Sequence, residues 1–288
     1  MEEVGDLIGR GFRVWRNNLN LCIPFLFSFA LSMIALLPIL AAFFYAFGPM
    51  ENLDSITSED MLAKIEGSVL VWAAAFLLSA LLLTGISAFF TAAAIGMAGR
   101  ALETGIASTG DMWAAGKKHF LNMFLASILT GFIVLAGMVF LLPGIALLPQ
   151  PFQSEPQAMG LLITGVVLFI LYALIMSLLL AVVPYALVTE DLGPVKAVRS
   201  SLSFFRYNKF DVLVLWLAVV AISLGLQMIG GAVSAGENVS FQPLSAVTGL
   251  VNVLVLSPLT TVWWTRLYMS RTGKLNDFGV KSEVKNPW

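Results

Sequence analysis

The chain is 288 residues long, 59% of them hydrophobic and only 11% charged, with a mean hydropathy of +0.90 and a net charge of −1. An ordinary soluble domain carries about twice that charged fraction. These figures exclude a soluble globular domain, a disordered chain and a nucleic-acid-binding module, and they leave a polytopic helical membrane protein.

The N-terminus opens on Met1, Glu2, Glu3 and Asp6, too acidic for a signal peptide. Val4, Leu7, Ile8, Phe12 and Trp15 then recur at helical spacing, with Asp6, Arg10, Arg13 and Asn17 between them, which predicts an amphipathic helix. Six apolar runs follow, at 19–47, 68–98, 120–148, 158–188, 211–232 and 243–268, each long enough to cross a bilayer. A charge at mid-span costs about 2.5–3.5 kcal/mol. No mid-span position carries one, and Asp211 sits at a span's edge.

Between the first two runs the loop 49–67 is acidic, with Glu51, Asp54, Glu59, Asp60 and Glu66 against Lys64, and Ser58 predicts the start of a short helix over 58–66. Before the third run Met112, Trp113, Gly116 and Phe120 accompany Lys117 and Lys118. Before the fifth, Leu192, Val195, Val198, Leu202 and Phe205 recur beside Lys196, Arg199, Ser203 and Arg206. Between the fifth and sixth runs Asn238-Val239-Ser240 is a glycosylation sequon.

Fifteen of the sixteen Lys and Arg fall in alternate connections, and only Lys64 falls on the other side. The positive-inside rule predicts six spans in the cell membrane with both termini cytoplasmic. The three basic segments predict cytoplasmic interfacial helices lying against the inner leaflet. Each even-numbered span also exits into a glycine, Gly105, Gly193 or Gly273. The expected fold is therefore all-α: one six-span domain over 1–270, a threefold repeat of helical hairpins at 1–105, 106–193 and 194–273, and a tail over 271–288. Trp15, Trp113, Trp263 and Trp264 predict an aromatic belt at the basic boundary.

Small residues recur every fourth position in the second run (Ala80, Thr84, Ala88, Ala92, Gly96) and in the third (Ala126 and Thr130, Ser127 and Gly131), predicting seams for close helix approach. Pro24, Pro38, Pro143, Pro184 and Pro258 predict kinks. Cys22 is the single cysteine and His119 the single histidine, so no internal disulfide and no multi-histidine metal site forms. Glu190-Asp191 is the one adjacent acid pair at a membrane edge, and Asp191 reads as the cap of a helix that Pro194 opens.

Candidate headgroup contacts are Arg10, Arg13, Arg16, Lys117, Lys118, Lys196, Arg199, Arg206 and Lys209. The most costly intramembrane polar residues, Gln227 and Asn252, are the candidates for a polar path. No set of nucleophile and base marks an enzyme, and no cofactor or metal is expected.

The stretch from Val188 to Ser201, with its acid–glycine step Glu190-Asp191-Leu192-Gly193 and its Ala197-x-x-Ser200 helix, precedes a new span; Gly11-Phe12-Arg13-Val14-Trp15-Arg16-Asn17-Asn18 accompanies it near the N-terminus. This pattern resembles a family of uncharacterised prokaryotic and archaeal six-span membrane proteins, among them the membrane domain fused to some glycerophosphodiester phosphodiesterases. The resemblance covers most of the chain but not the soluble phosphodiesterase domain, so it implies no enzymatic role. The expected function is non-enzymatic: a scaffold or accessory subunit, or a protein handling lipid at the inner leaflet. The alternative is a transporter or channel for a small neutral or lipidic substrate. Expected partners are anionic lipids and an unidentified membrane protein or a second copy of the chain, with no nucleic acid.

Overall fold

The computed structural model describes residues 2–48, 64, 66–146, 156–234 and 248–275, and its elements there are all helical. In chain order they are α1 (Val4–Asn17), α2 (Ile23–Ala35), α3 (Leu37–Phe47), α4 (Val69–Thr104), α5 (Thr109–Leu135), α6 (Leu142–Ala146), α7 (Pro156–Leu180), α8 (Val183–Glu190), α9 (Pro194–Ser234) and α10 (Ser257–Arg271). Short 3₁₀ turns at Leu19–Cys22 and Ala136–Leu141 and a π turn at Asn252–Leu256 join some of them.

Five stretches are long and apolar enough to cross a membrane: Leu19–Phe47, Val69–Thr104, Thr109–Ala146, Met159–Glu190 and Pro194–Met228. The chain is thus a multi-pass helical membrane protein. The sixth expected stretch is described from residue 248 and is helical to Arg271; Asn252, Thr260, Thr261, Thr265 and Arg266 make it less apolar than the others. Glu51, Asp54, Glu59, Asp60, Glu155, Glu237, the Asn238 sequon, Lys281 and Lys285 lie outside the described residues, as does most of the short helix expected over 58–66.

Each proline marks a break. Pro24, Pro38, Pro143, Pro184 and Pro258 all occupy the first turn of a new helical segment, where a missing N–H costs nothing. Two asparagines mark breaks of another kind. Asn18 (φ −133°, ψ 66°) ends α1, and Asn208 (φ −125°, ψ 32°) kinks α9. Each returns its side-chain amide to the carbonyl four residues back, Val14 and Phe204, at 3.1 Å. The second basic segment has no such break. Ser108 and Asp111 form a capping box, and the helix runs unbroken from Thr109 to Leu135. No separate interfacial helix exists there, so the expected second interfacial helix is corrected, while breaks do follow the first and third basic segments.

The buried core gathers at one end. Leu7, Ala92, Ile95, Met97, Val182, Leu187, Ala197, Val212, Leu215, Leu267 and Tyr268 are fully or almost fully buried, whereas Leu70, Leu77, Phe132 and Ile163 are well exposed. Trp263 and Trp264 belong to that core, which corrects the expected belt. The Trp263 Nε1 donates to the Ile8 carbonyl at 3.0 Å, and Trp264 stacks on Tyr185. The small-residue seam of α4 is closed at Ala88, Ala92 and Gly96, where a Cβ on Gly96 would strike Ala115; Ala80 is exposed.

Asn18 is the junction of this end. Its side chain donates to Val14 and Gly105 carbonyls and accepts from the Ala107 N–H, all within 3.1 Å. It is buried, so truncation orphans three backbone partners. Asn18→Ala is expected to destabilise the protein by about 2–3 kcal/mol, read as a lower unfolding temperature in detergent, and Asn208→Ala, with its single local bond, by less than about 1 kcal/mol.

Candidate functional site

Helix ends that are far apart in sequence meet at the buried end, and charges hold them. Arg266 is buried, and its guanidinium donates to the Glu2 carboxylate at 2.9–3.3 Å. Arg271 donates to the Asp211 carboxylate at 2.8 Å and to the Glu2 carbonyl at 2.9 Å. Lys274 donates to the Thr189 carbonyl at 3.0 Å, with its Nζ 3.8 Å from Glu190. Lys118 meets Asp191 at 2.9 Å. His119 Nδ1, buried, lies 3.3 Å from the same carboxylate without the alignment of a hydrogen bond.

The structure corrects the reading of Asp191 and of the glycine exits. Asp191 does not cap the helix that Pro194 opens. It ends α8 in the left-handed region (φ 55°, ψ 43°), the role that Gly105 and Gly273 play after α4 and α10, while Gly193 has no positive φ. Aspartate is one of the few residues with a side chain that tolerates this conformation. Its carboxylate is thereby turned toward the start of α5. The hydrogen bond from Lys118, reinforced by that ammonium's charge, holds the Asp191 carboxyl below the ordinary aspartate range. The pairing is therefore complete at neutral pH and is lost only as pH falls below the usual value of about 3.9.

The nine candidate headgroup cations divide into two groups. Lys118 pairs with Asp191, and Arg10 lies 3.5 Å from Glu2. Arg13, Arg16, Lys117, Lys196, Arg199, Arg206 and Lys209 are exposed and make no ion pair among the described residues. Around them Phe12, Trp113, Val195, Leu202, Tyr207 and Phe210 are exposed too. The first half of α9 buries Ala197, Ser201 and Phe204 instead: the Ser201 hydroxyl donates to the Leu179 carbonyl at 2.7 Å, and Phe204 stacks on Tyr268. Val195 and Leu202, expected on its apolar face, point away from the bundle.

Gln227 and Asn252 are both exposed on the bundle's outer surface. Asn252 Oδ1 accepts from the Ser257 hydroxyl at 3.5 Å.

A feature that sequence reasoning missed lies between α5 and α7–α8. It is an open cleft of about 590 Å³, lined by Thr91, by α5 from Met123 to Leu135, by Met176, Ser177 and Leu180, and by Val183 and Pro184. Ser127 and Gly131, expected in a packed seam, line this cleft, and a Cβ on Gly131 would meet nothing. The ion pairs Glu2–Arg266 and Asp211–Arg271 were missed as well, because nothing local links residues so far apart. The Ser108-x-x-Asp111 spacing is the one overlooked signal that sequence carried.

Comparison with known proteins fits this picture. The model of a domain of unknown function, DUF7847, matches residues 4–269, and the chain belongs to that family. An uncharacterized protein of Archaeoglobus fulgidus is 25% identical over 300 residues, covering 96% of this chain and 98% of that protein. No solved structure matches the chain.

Two substitutions probe the charged end. Arg266→Ala leaves the half-buried Glu2 carboxylate with only Arg10, 3.5 Å away, and is expected to cost about 1–3 kcal/mol, with faster hydrogen exchange across Val4–Asn17. Asp191→Gly and Asp191→Ala both remove the Lys118 pair, but only alanine places a Cβ in the left-handed region; the alanine variant should unfold at the lower temperature.

Proposed function

We propose that this DUF7847 protein is a non-enzymatic, six-span protein of the cell membrane that holds anionic lipid at its cytoplasmic face, both termini lying on that side. One observation carries the reading: seven exposed cations from α1, α5 and α9 stand at one end of the bundle without ion-pair partners among the described residues, interleaved with exposed aromatic and aliphatic side chains. Cations facing an anionic leaflet contribute about 1 kcal/mol each, and exposed aromatics suit the headgroup level. The protein thus offers both halves of a lipid contact on one surface.

The six-span count has support in the same layer. The chain is at this end at Asn18, again at Gly105–Ala107, again at Asp191, and again at Arg271, as the bonds between these positions require. Each interval contains an outward and a returning helical stretch, so the run from 248 to 271 reads as the sixth span. The shared asparagine breaks and left-handed exits at Gly105, Asp191 and Gly273 support three related hairpin units. The likeness of residues 188–201 to the membrane domain of some glycerophosphodiester phosphodiesterases belongs to this reading and rests on the motif. A scaffold or accessory role would use the same face, with lipid as the surface on which a membrane protein partner assembles.

Protein purified in mild detergent and reconstituted into phosphatidylcholine nanodiscs containing phosphatidylglycerol is expected to enrich the anionic lipid around itself. The combined substitution of Arg13, Arg16, Arg199 and Arg206 by Gln should abolish the enrichment without lowering the unfolding temperature. Equal lipid ratios for wild type and variant would overturn the lipid reading. A reporter fused after Trp288 and accessible from outside intact cells would overturn the orientation.

A further inference from the structure

The cleft beside α5 is built for hydrocarbon. Three of its lining hydroxyls are already engaged. Ser127 donates to the Met123 carbonyl at 2.9 Å, Thr130 to that of Ala126 at 2.9 Å, and Ser177 to that of Leu174 at 2.8 Å. A hydroxyl bonded to its own helix offers no donor to a ligand, so these positions present essentially apolar surface. The volume, about 590 Å³, lies within the ~300–1,000 Å³ range of small-molecule sites.

Its length and position match one lipid chain. From Met123 to Leu135 the helix rises about 18 Å, close to half of a hydrocarbon core ~30 Å thick. The cleft begins one turn beyond His119, at the charged layer, and runs toward the middle of the membrane. At that layer stands Lys117, exposed and without an ion pair among the described residues. On α5 Lys117 shares its side with Leu135 at the cleft's edge, while Met123, Ala126 and Thr130 lie about 120–180° around the helix from it, so the cleft opens beside that lysine rather than beneath it.

Both ends of the cleft are fastened, which keeps it from closing. Lys118 and Asp191 join α5 to the end of α8 at the near end. At the far end Tyr172 packs where a Cβ on Gly137 would stand, and its hydroxyl donates to the Ile133 carbonyl at 2.6 Å.

We propose that this cleft binds a single phospholipid, one acyl chain lying along α5 and the headgroup at the charged layer. The inference rests on the lipid-binding reading above and adds to it a defined chain site.

The test is photolabelling of the intact protein in phosphatidylcholine nanodiscs that contain phosphatidylglycerol with a diazirine in mid-chain. Adducts are expected to concentrate on 123–135 and 176–184, above the level on other exposed apolar stretches such as Leu77–Leu82. Adducts spread evenly over the lipid-facing helices would overturn the proposal on wild-type protein alone. Gly131→Phe fills open space and should reduce cleft adducts to the level of the other helices; full labelling of a variant that unfolds like wild type would overturn it. The four-arginine variant separates the two readings. If it leaves bulk lipid enrichment unchanged while wild-type cleft adducts persist, the broader reading fails and the chain site stands.

Discussion

The Arg266 guanidinium is buried, and a buried guanidinium is tolerable only beside a carboxylate with its hydrogen bonds filled. Glu2 is that carboxylate, so α1 has to dock on α10. Docking presses Gly11 against the Trp263 indole, where any Cβ would collide, and leads the chain to Asn18. Asn18 fastens the link between α4 and α5, the start of α5 reaches Asp191 through Lys118, and Lys274 returns from the end of α10 to Thr189 and Glu190. The contacts close a ring through α10, α1, α5 and α8. In a membrane the apolar faces of helices gain little from meeting one another rather than lipid, so polar contacts and close packing decide the arrangement. That is why the core lies beside the charged layer and thins away from it.

Span positions were legible because insertion selects long apolar runs, and the sorting of Lys and Arg was legible because it is a property of composition along the chain. Which face of a span meets protein was not. Trp263 and Trp264 look like boundary anchors in the sequence, since an indole suits a protein interior and a headgroup layer equally well; only the docking of α1 and α8 decides that they are interior. The cleft was invisible for the same reason: Met123, Ala126 and Leu135 are no different in kind from residues that face lipid. Asp191 was misread because aspartate before Pro194 also fits a helix start, and the left-handed conformation that places it at the end of α8 leaves no mark when the residue is not glycine.

The segments at Asn18, Ser108 and Asn208 differ at informative points. Asn18 and Asn208 both stop a helix at the charged layer, so the chain turns before entering the span. Between them the capping box at Ser108 starts α5 early and no break follows. Lys117, Lys118 and His119 therefore ride on the same rigid rod as Met123 and Gly131. The left-handed exit that follows α8 carries aspartate where those after α4 and α10 carry glycine, and that aspartate pairs with Lys118. Both departures act on α5.

That rigidity bears on why the cleft exists at all. At its far end α5 passes into the 3₁₀ turn Ala136–Leu141, and the Ile133 carbonyl just before that turn accepts from the Tyr172 hydroxyl. In hydrocarbon an unpaired carbonyl costs several kcal/mol, so the Tyr172 hydroxyl holds α7 to α5 at this level. Its ring needs the space that Gly137 leaves, and Gly144 and Gly165 bring the two helical segments together beyond it by letting Leu162 and Phe140 approach. With α5 and the α7–α8 segment held at the tyrosine and again at Asp191, the span between them cannot collapse without breaking one of the two. The small side chains there, Ala126, Ser127 and Gly131, leave a gap that α5 itself does not fill, and in a bilayer the component at hand to fill it is a lipid chain.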